Sequence, residues 1–216
     1  MFSYEQELLN KGVRFVAGVD EVGRGCLAGP MTIGCVVYDL AKLIELKSNQ
    51  DTSWINDIKD SKQLTPKKRK ILSEQIKSVA TKYSLFCITN DQLDANGISW
   101  AEKYGFAQAV KEVGSFDFAL TDAFPIPTLM KTMQTNIVGG DSKSVTIASA
   151  SILAKVYRDN LMVEYSSTYP EYYFEKHKGY GTKLHIEMIK KHGICNIHRT
   201  SFEPIKSILA LKDKTD

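Results

Sequence analysis

Val-Ala-Gly-Val-Asp-Glu-Val-Gly-Arg-Gly-Cys-Leu-Ala-Gly-Pro, residues 16–30, is the stretch on which the reading of the chain turns. It opens as an apolar strand, sets Asp20 and Glu21 side by side where that strand is expected to end, and runs into a turn made of Gly23, Arg24 and Gly25. Burying a carboxylate at a strand end is costly unless a cation or hydrogen-bond donors compensate. Two readings fit. One is a hairpin turn that uses Asp and Gly for geometry alone. The other is a divalent-cation carboxylate cluster facing a loop that reads phosphate.

Around it, residues 15–20 form the first expected strand, and residues 31–38 form a second, rich in β-branched side chains. The short connection predicts antiparallel neighbours, since parallel ones need a long crossover. Residues 4–11 read as a short amphipathic helix stopped by Gly12, and residues 40–54 as a poorly patterned surface excursion. Thr65 and Pro66 are an N-cap and a first-turn proline. The helix they open carries Leu72, Ile76, Val79 and Tyr83 on one side, and Lys67, Lys68, Arg69 and Lys70 in its first turn, as a solvated face or a phosphate contact. Residues 84–89 are a third strand, 92–96 a turn or short helix, and 100–113 a longer helix. Residues 116–121 make a strand that ends at Asp122 as the first ended at Asp20. A short β-prone run, 135–138, leads into Gly139, Gly140 and Asp141, and residues 143–165 are helical with a wide stripe rich in Ala and Ser, the mark of close packing on a sheet. An aromatic and basic loop at 169–181, helices at 182–192 and 202–211, and a charged tail at 212–216, expected to fray, complete the chain.

The 216 residues suit one large domain or a domain with an appendage. With 28 Lys and Arg against 25 Asp and Glu, the net charge of +3 falls short of an electrostatic nucleic-acid coat, so a polyanion has to be held by a local patch. Cysteines 26, 35, 87 and 195 show neither a zinc spacing nor a disulfide framework and fit a reducing compartment. The start, Met-Phe-Ser-Tyr-Glu-Gln-Glu, lacks the pattern of a secretion signal, and no run of about 18 apolar residues occurs. A soluble, cytoplasmic protein with no membrane partner is expected.

Strands alternating with helices argue an α/β or α+β mixed sheet, and in such sheets sites form at strand ends. Asp20, Glu21, Asp122 and Asp141 fall there. Converging carboxylates force protonation or cation uptake. With Mg²⁺ or Mn²⁺ the same set becomes a two-metal phosphoryl-transfer site, although Asp141 also suits the cap of the helix it precedes. No GxxxxGK[ST], GxGxxG or nucleophile elbow competes. Lys143, Lys155 and Arg158 are candidate phosphate contacts, Lys155 and Asp159 being also spaced as a helical ion pair. His177, His185, His192 and His198 share no metal-ligand spacing, and Tyr172, Tyr173 and Phe174 read as packing.

Several long motifs in register carry a resemblance: residues 17–30, Asp60-Ser-Lys-Gln-Leu-Thr65, Gly140-Asp-Ser-Lys-Ser144, Ala150-Ser-Ile-Leu-Ala-Lys-Val-Tyr-Arg-Asp159, His177-Lys-Gly-Tyr-Gly-Thr182 and His198-Arg-Thr-Ser-Phe202. Together they resemble bacterial type 2 ribonuclease H, ribonuclease HII. The resemblance implies an RNase H-like mixed five-stranded sheet flanked by helices, with a catalytic domain over residues 1–165 and a C-terminal helical extension over 166–216. It implies cleavage of the RNA strand of RNA/DNA hybrids and, in duplex DNA, on the 5′ side of single ribonucleotides, leaving a 3′-hydroxyl, by a monomer that uses Mg²⁺ or Mn²⁺. By motif position, Asp20, Glu21, Asp122 and Asp141 match the metal-binding catalytic acids; Gly23, Arg24 and Gly25 match the loop that reads the ribose 2′-hydroxyl, and Tyr180 the aromatic on the neighbouring deoxyribose. Lys143 stands beside this set as a substrate contact. Cys26 stands where proline is common and Ala123 where glycine is usual. The rival readings are a transposase- or resolvase-like DNA nuclease and a non-catalytic nucleic-acid-binding module.

Overall fold

β1 (Phe15–Val22) is the middle strand of a mixed five-stranded sheet in a computed structural model that describes residues 1–212; the expected charged tail lies, from 213 on, outside the described residues. On one side β1 pairs antiparallel with β2 (Met31–Asp39), as the short connection requires, and β3 (Lys82–Ile88) lies beyond β2. On the other side it pairs parallel with β4 (Phe118–Asp122), followed by β5 (Gln134–Ile137), also parallel. β2 is buried at every position, which is why its sequence, apart from Thr32 and Asp39, is apolar rather than alternating.

The larger of two compact units, residues 1–22, 32–86 and 102–156, holds this sheet. Its helices are α1 (Ser3–Asn10), α2 (Leu40–Ser48), α3 (Pro66–Val79), most of α5 (Ile98–Val113) and the first half of α6 (Val145–Thr168). Two glycines let α6 lie unusually close to the sheet: a Cβ on Gly18 would come within 2.4 Å of the Thr146 main chain, and one on Gly34 within 2.4 Å of the Ala150 carbonyl. The Ala and Ser stripe of α6 is the other half of that contact. The start of α6 is capped from a distance, with the Glu5 carboxylate accepting from Thr146 N–H and the Met1 carbonyl from Val145 N–H.

Residues 40–54 are not a surface excursion. They form α2 and a 3₁₀ segment, Gln50–Asp57, kinked at Thr52, whose Leu40, Leu43 and Ile55 are fully buried. A helix of one pitch followed by one of another breaks the single apolar period that a sequence reading looks for.

The smaller unit takes residues 23–31, 87–101 and those from 157 on. It contains α4 (Asn90–Asn96), the rest of α6, α7 (Phe174–His177), α8 (Lys183–His192) and α9 (Ile205–Lys212) around Leu27, Met162, Phe174, Ile189 and Ile205. Tyr172 stacks on Phe174 at 5.4 Å and both are buried, so these two are packing groups as expected, whereas Tyr173 is exposed. Among the described residues no helix is long and apolar enough to cross a membrane.

Candidate active site

The parallel pairing of β1 and β4 sets Val19 opposite Thr121, so the next residue of each strand, Asp20 and Asp122, falls at the same level at the carboxyl end of the sheet. Asp141 follows β5 in a 3₁₀ turn, Gly140–Ser142. Carboxylate oxygens of Asp20, Asp122 and Asp141 all lie within 4.8 Å of one another. Glu21 is not in that three-way cluster among the described residues, because a strand sends successive side chains to opposite faces.

Each acid is held. Asp122 Oδ1 accepts the Gly140 N–H at 2.8 Å, and Asp20 Oδ1 accepts that of Glu21 at 2.8 Å. Ser151 of α6 donates to Asp20, and its own hydroxyl is 3.0 Å from that of Ser61. Lys62 Nζ lies 3.2 Å from Asp141 Oδ2. The helix-cap alternative for Asp141 is not realised, since Ser144 and Glu5 serve the N–H groups at the start of α6.

Burial raises the Asp20 carboxyl to about 7, with Asp122 and Asp141 adding to the effect against the Ser151 hydrogen bond. Burial also raises Asp122. Although partial burial works against it, the Asp141 carboxylate raises the Lys62 ammonium above its ordinary value. One mostly exposed lysine offsets only part of the charge of three crowded acids. The donors are all hard carboxylate oxygens, the ligand type that Mg²⁺ and Mn²⁺ prefer, so the set fits a divalent cation.

Ser61, Lys62 and Ser151 carry no assignment in the sequence reading. The available signal was the polar run Asp60-Ser-Lys-Gln63, which has no helical or strand period to justify it. Lys143 donates to the Val138 carbonyl at 2.6 Å.

The remaining candidates belong to the smaller unit. Arg24 and Gly25 are exposed, and a Cβ on Gly25 would meet nothing within 4 Å. Gly23, at φ +88°, could carry no Cβ without striking Arg158 Nε at 2.1 Å. Arg158 is itself fully buried, so it makes no phosphate contact; its guanidinium lies 5.9 Å from the ring of Tyr180, which is 39% exposed. Arg199 is also fully buried, and burial, together with the nearby Arg158 charge, pushes it down to about 10.

Histidines without a shared spacing meet in space. His177 and His185 stack at 4.3 Å, and His185 Nε2 lies 3.1 Å from His198 Nε2. A carbonyl can only accept, so His185 carries its proton on Nδ1, toward Tyr180 O, and His177 on Nε2, toward Tyr172 O. His198 then donates from Nε2 to His185 and accepts the Cys195 N–H on Nδ1.

The family model for Ribonuclease HII matches residues 17–205. Ribonuclease HII of Caldicellulosiruptor bescii is 46% identical over 97% of this chain and 96% of its own. The crystal structure of ribonuclease H2 from Pyrococcus horikoshii superposes with a TM-score of 0.75 at 25% identity, covering 93% of this chain and 99% of that one. Bst-RNase HIII in complex with Mn²⁺ shares the fold, with a TM-score of 0.68 at 17% identity over 94% of this chain and 71% of that one. Fold and site therefore define a hydrolytic ribonuclease of the H class. Within that class, the chain belongs to the ribonuclease HII family.

Proposed function

We propose that this protein is a divalent-metal-dependent endonuclease that cuts the RNA strand of RNA/DNA hybrids and, in duplex DNA, the 5′ side of a single ribonucleotide, leaving 3′-hydroxyl and 5′-phosphate ends. The observation that carries the reading is the approach of the Asp20, Asp122 and Asp141 carboxylates to within 4.8 Å at the carboxyl ends of β1, β4 and β5.

Asp20, Asp122 and Asp141 would hold two cations, Mg²⁺ or Mn²⁺, with Glu21 assigned to the same task by its motif position alone. Bound there, such cations supply the positive charge that activates water and offsets charge developing on the leaving 3′-oxygen. The protein's own groups orient the ligands: Gly140 N–H fixes Asp122, Ser151 and Glu21 N–H fix Asp20, and Lys62 offsets the charge of Asp141. A 2′-hydroxyl is the group that tells RNA from DNA, and Gly23, Arg24 and Gly25, with Tyr180, are the residues assigned to reading it. The open space over Gly25 supports a close main-chain approach. Lys143 is assigned to the substrate backbone. Four free cysteines support work in a reducing cytoplasm.

The test is incubation with Mg²⁺ and three substrates: an RNA/DNA hybrid, a DNA duplex carrying one ribonucleotide, and an all-DNA duplex. Cuts in the first two, mapped 5′ to the ribonucleotide in the second, are expected. Equal cutting of the all-DNA duplex would instead identify a transposase- or resolvase-like nuclease, and binding without cutting a non-catalytic module.

A further inference from the structure

The smaller unit buries two arginines that the proposed reaction does not use. Arg158 and Arg199 are each 0% exposed. Their hydrogen bonds run to main-chain carbonyls, most of them in one loop: Arg158 donates to Pro30 O (2.8 Å), Ala28 O (3.0 Å) and Lys178 O (2.8 Å), and Arg199 twice to Gly29 O (3.0 and 2.8 Å) and once to Arg24 O (2.9 Å). Burying a guanidinium is expensive, and neighbouring like charges add to the cost. Packing alone would be served better by an apolar side chain of similar volume. What a guanidinium offers instead is a rigid fork of donors able to hold several carbonyls at fixed separations.

We propose that Arg158 and Arg199 are positioning residues for ribonucleotide recognition, two buried forks that fix the carbonyls of residues 24, 28, 29 and 30 and so set the Gly23-Arg24-Gly25 turn and its neighbour Tyr180. This rests on the reading of that turn as the 2′-hydroxyl sensor. Three observations join at Arg158: Gly23 lies directly on its Nε, its fork holds the loop and the Lys178 carbonyl, and its charge lies under the Tyr180 ring. Arg199 holds the carbonyl of Arg24 itself. Reading a single hydroxyl requires placement to within about 0.5 Å, which exposed loops do not reach without such support.

Arg158→Lys and Arg199→Lys keep the charge and lose the fork. Both variants, with Arg24→Ala as the reference, are assayed for kcat and KM on the single-ribonucleotide duplex and on a uniform RNA/DNA hybrid. The lysine variants are expected to lower the ratio of kcat/KM on the first substrate to that on the second by about tenfold or more, chiefly through kcat, at unchanged circular dichroism. Loss of stability alone moves both substrates together and would overturn the assignment. If Arg24→Ala leaves the ratio unchanged, the sensor reading itself fails; if Arg24→Ala lowers it and both lysine variants do not, only the positioning role fails. Amide hydrogen exchange of the wild-type protein tests the same point without a variant. Cys26, Leu27 and Gly29 are expected to be protected as strongly as the strand residues of β1, and rapid exchange there would refute a fixed loop.

Discussion

At the end of β1 three carboxylates lie within 4.8 Å of one another, and in the smaller unit three imidazoles stack and hydrogen-bond at comparable distances. Both sets bury like groups, yet they meet the problem differently. His177 Nδ1 and His185 Nε2 accept from the Gly179 N–H and the His198 Nε2–H, so an added proton there would face an existing donor, whereas His198 Nδ1 also has the Cys195 carbonyl at 3.3 Å. Burial, with the neighbouring His177 adding to it and the main-chain hydrogen bonds opposing it, pushes His185 down to about 3 and His198 to about 4. The carboxylates have no such closure: hydrogen bonds hold them apart from protonation while burial and mutual repulsion push Asp20 up to about 7. A cluster complete in itself is a packing device, and one whose charge is left over is built to receive something.

The largest effect that tests this contrast is on catalysis. Asp20→Asn is expected to lower cleavage by about a thousandfold or more, since it removes a ligand from charge stabilisation worth several kcal/mol, while substrate binding persists in Ca²⁺ or EDTA. His185→Gln should lower Tm by about 2–10 °C, from one poorly satisfied buried group, and leave the rate on a uniform hybrid within about threefold. A loss of rate comparable to that of Asp20→Asn in a folded His185→Gln protein would erase the distinction.

The pH dependence of melting in EDTA should carry opposite signs for the two clusters. Asp20 is raised from 3.8 to about 7, so its contribution is full below 3.8 and is lost as pH rises through about 7. His185 and His198 are depressed from 6.5, so theirs is full above 6.5 and is lost as pH falls toward about 4. Asp20→Asn should flatten the alkaline limb of Tm against pH, and His185→Gln the acid limb; a variant that flattens the wrong limb would reverse the assignment.

Smaller effects refine the acid cluster. Lys62→Ala removes the ion pair to Asp141 and should tighten Mn²⁺ binding, measured by calorimetry without nucleic acid, by about 1.4- to fivefold, the equivalent of the 0.2–1 kcal/mol of an exposed pair. Weaker binding would mean that Lys62 organises the ligands rather than competing for them. Ala123, next to Asp122, sits at φ +57°, a left-handed conformation that favours glycine. Ala123→Gly is therefore expected to stabilise the protein by about 0.5–1 kcal/mol in urea unfolding, the relief of strain being partly cancelled by the freer unfolded chain.

What could be read in advance followed from local physics. Thr65 and Pro66 start α3 where an N-cap and a first-turn proline dictate, and β-branched runs became strands. The sequence placed Asp20 and Asp122 at strand ends, but α2 escaped because its buried residues share no single period with the 3₁₀ helix that follows. Arg158 was weighed as a phosphate contact, since spacing along α6 does not reveal that its side chain is enclosed by carbonyls 128 and 130 positions away.

The sequence by itself determined most of the elements, the acids at their ends and the family, because caps, periods and motifs are properties of neighbouring residues. Only the tertiary structure decided that the strand order sets β4 beside β1 in a register that levels Asp20 with Asp122, that Ser61, Ser151 and Lys62 attend the acids, and that three histidines close on one another. Each of those facts joins residues beyond the reach of a local motif or depends on sheet order, and the energies that fix them, burial and charge, exist only once the chain has folded.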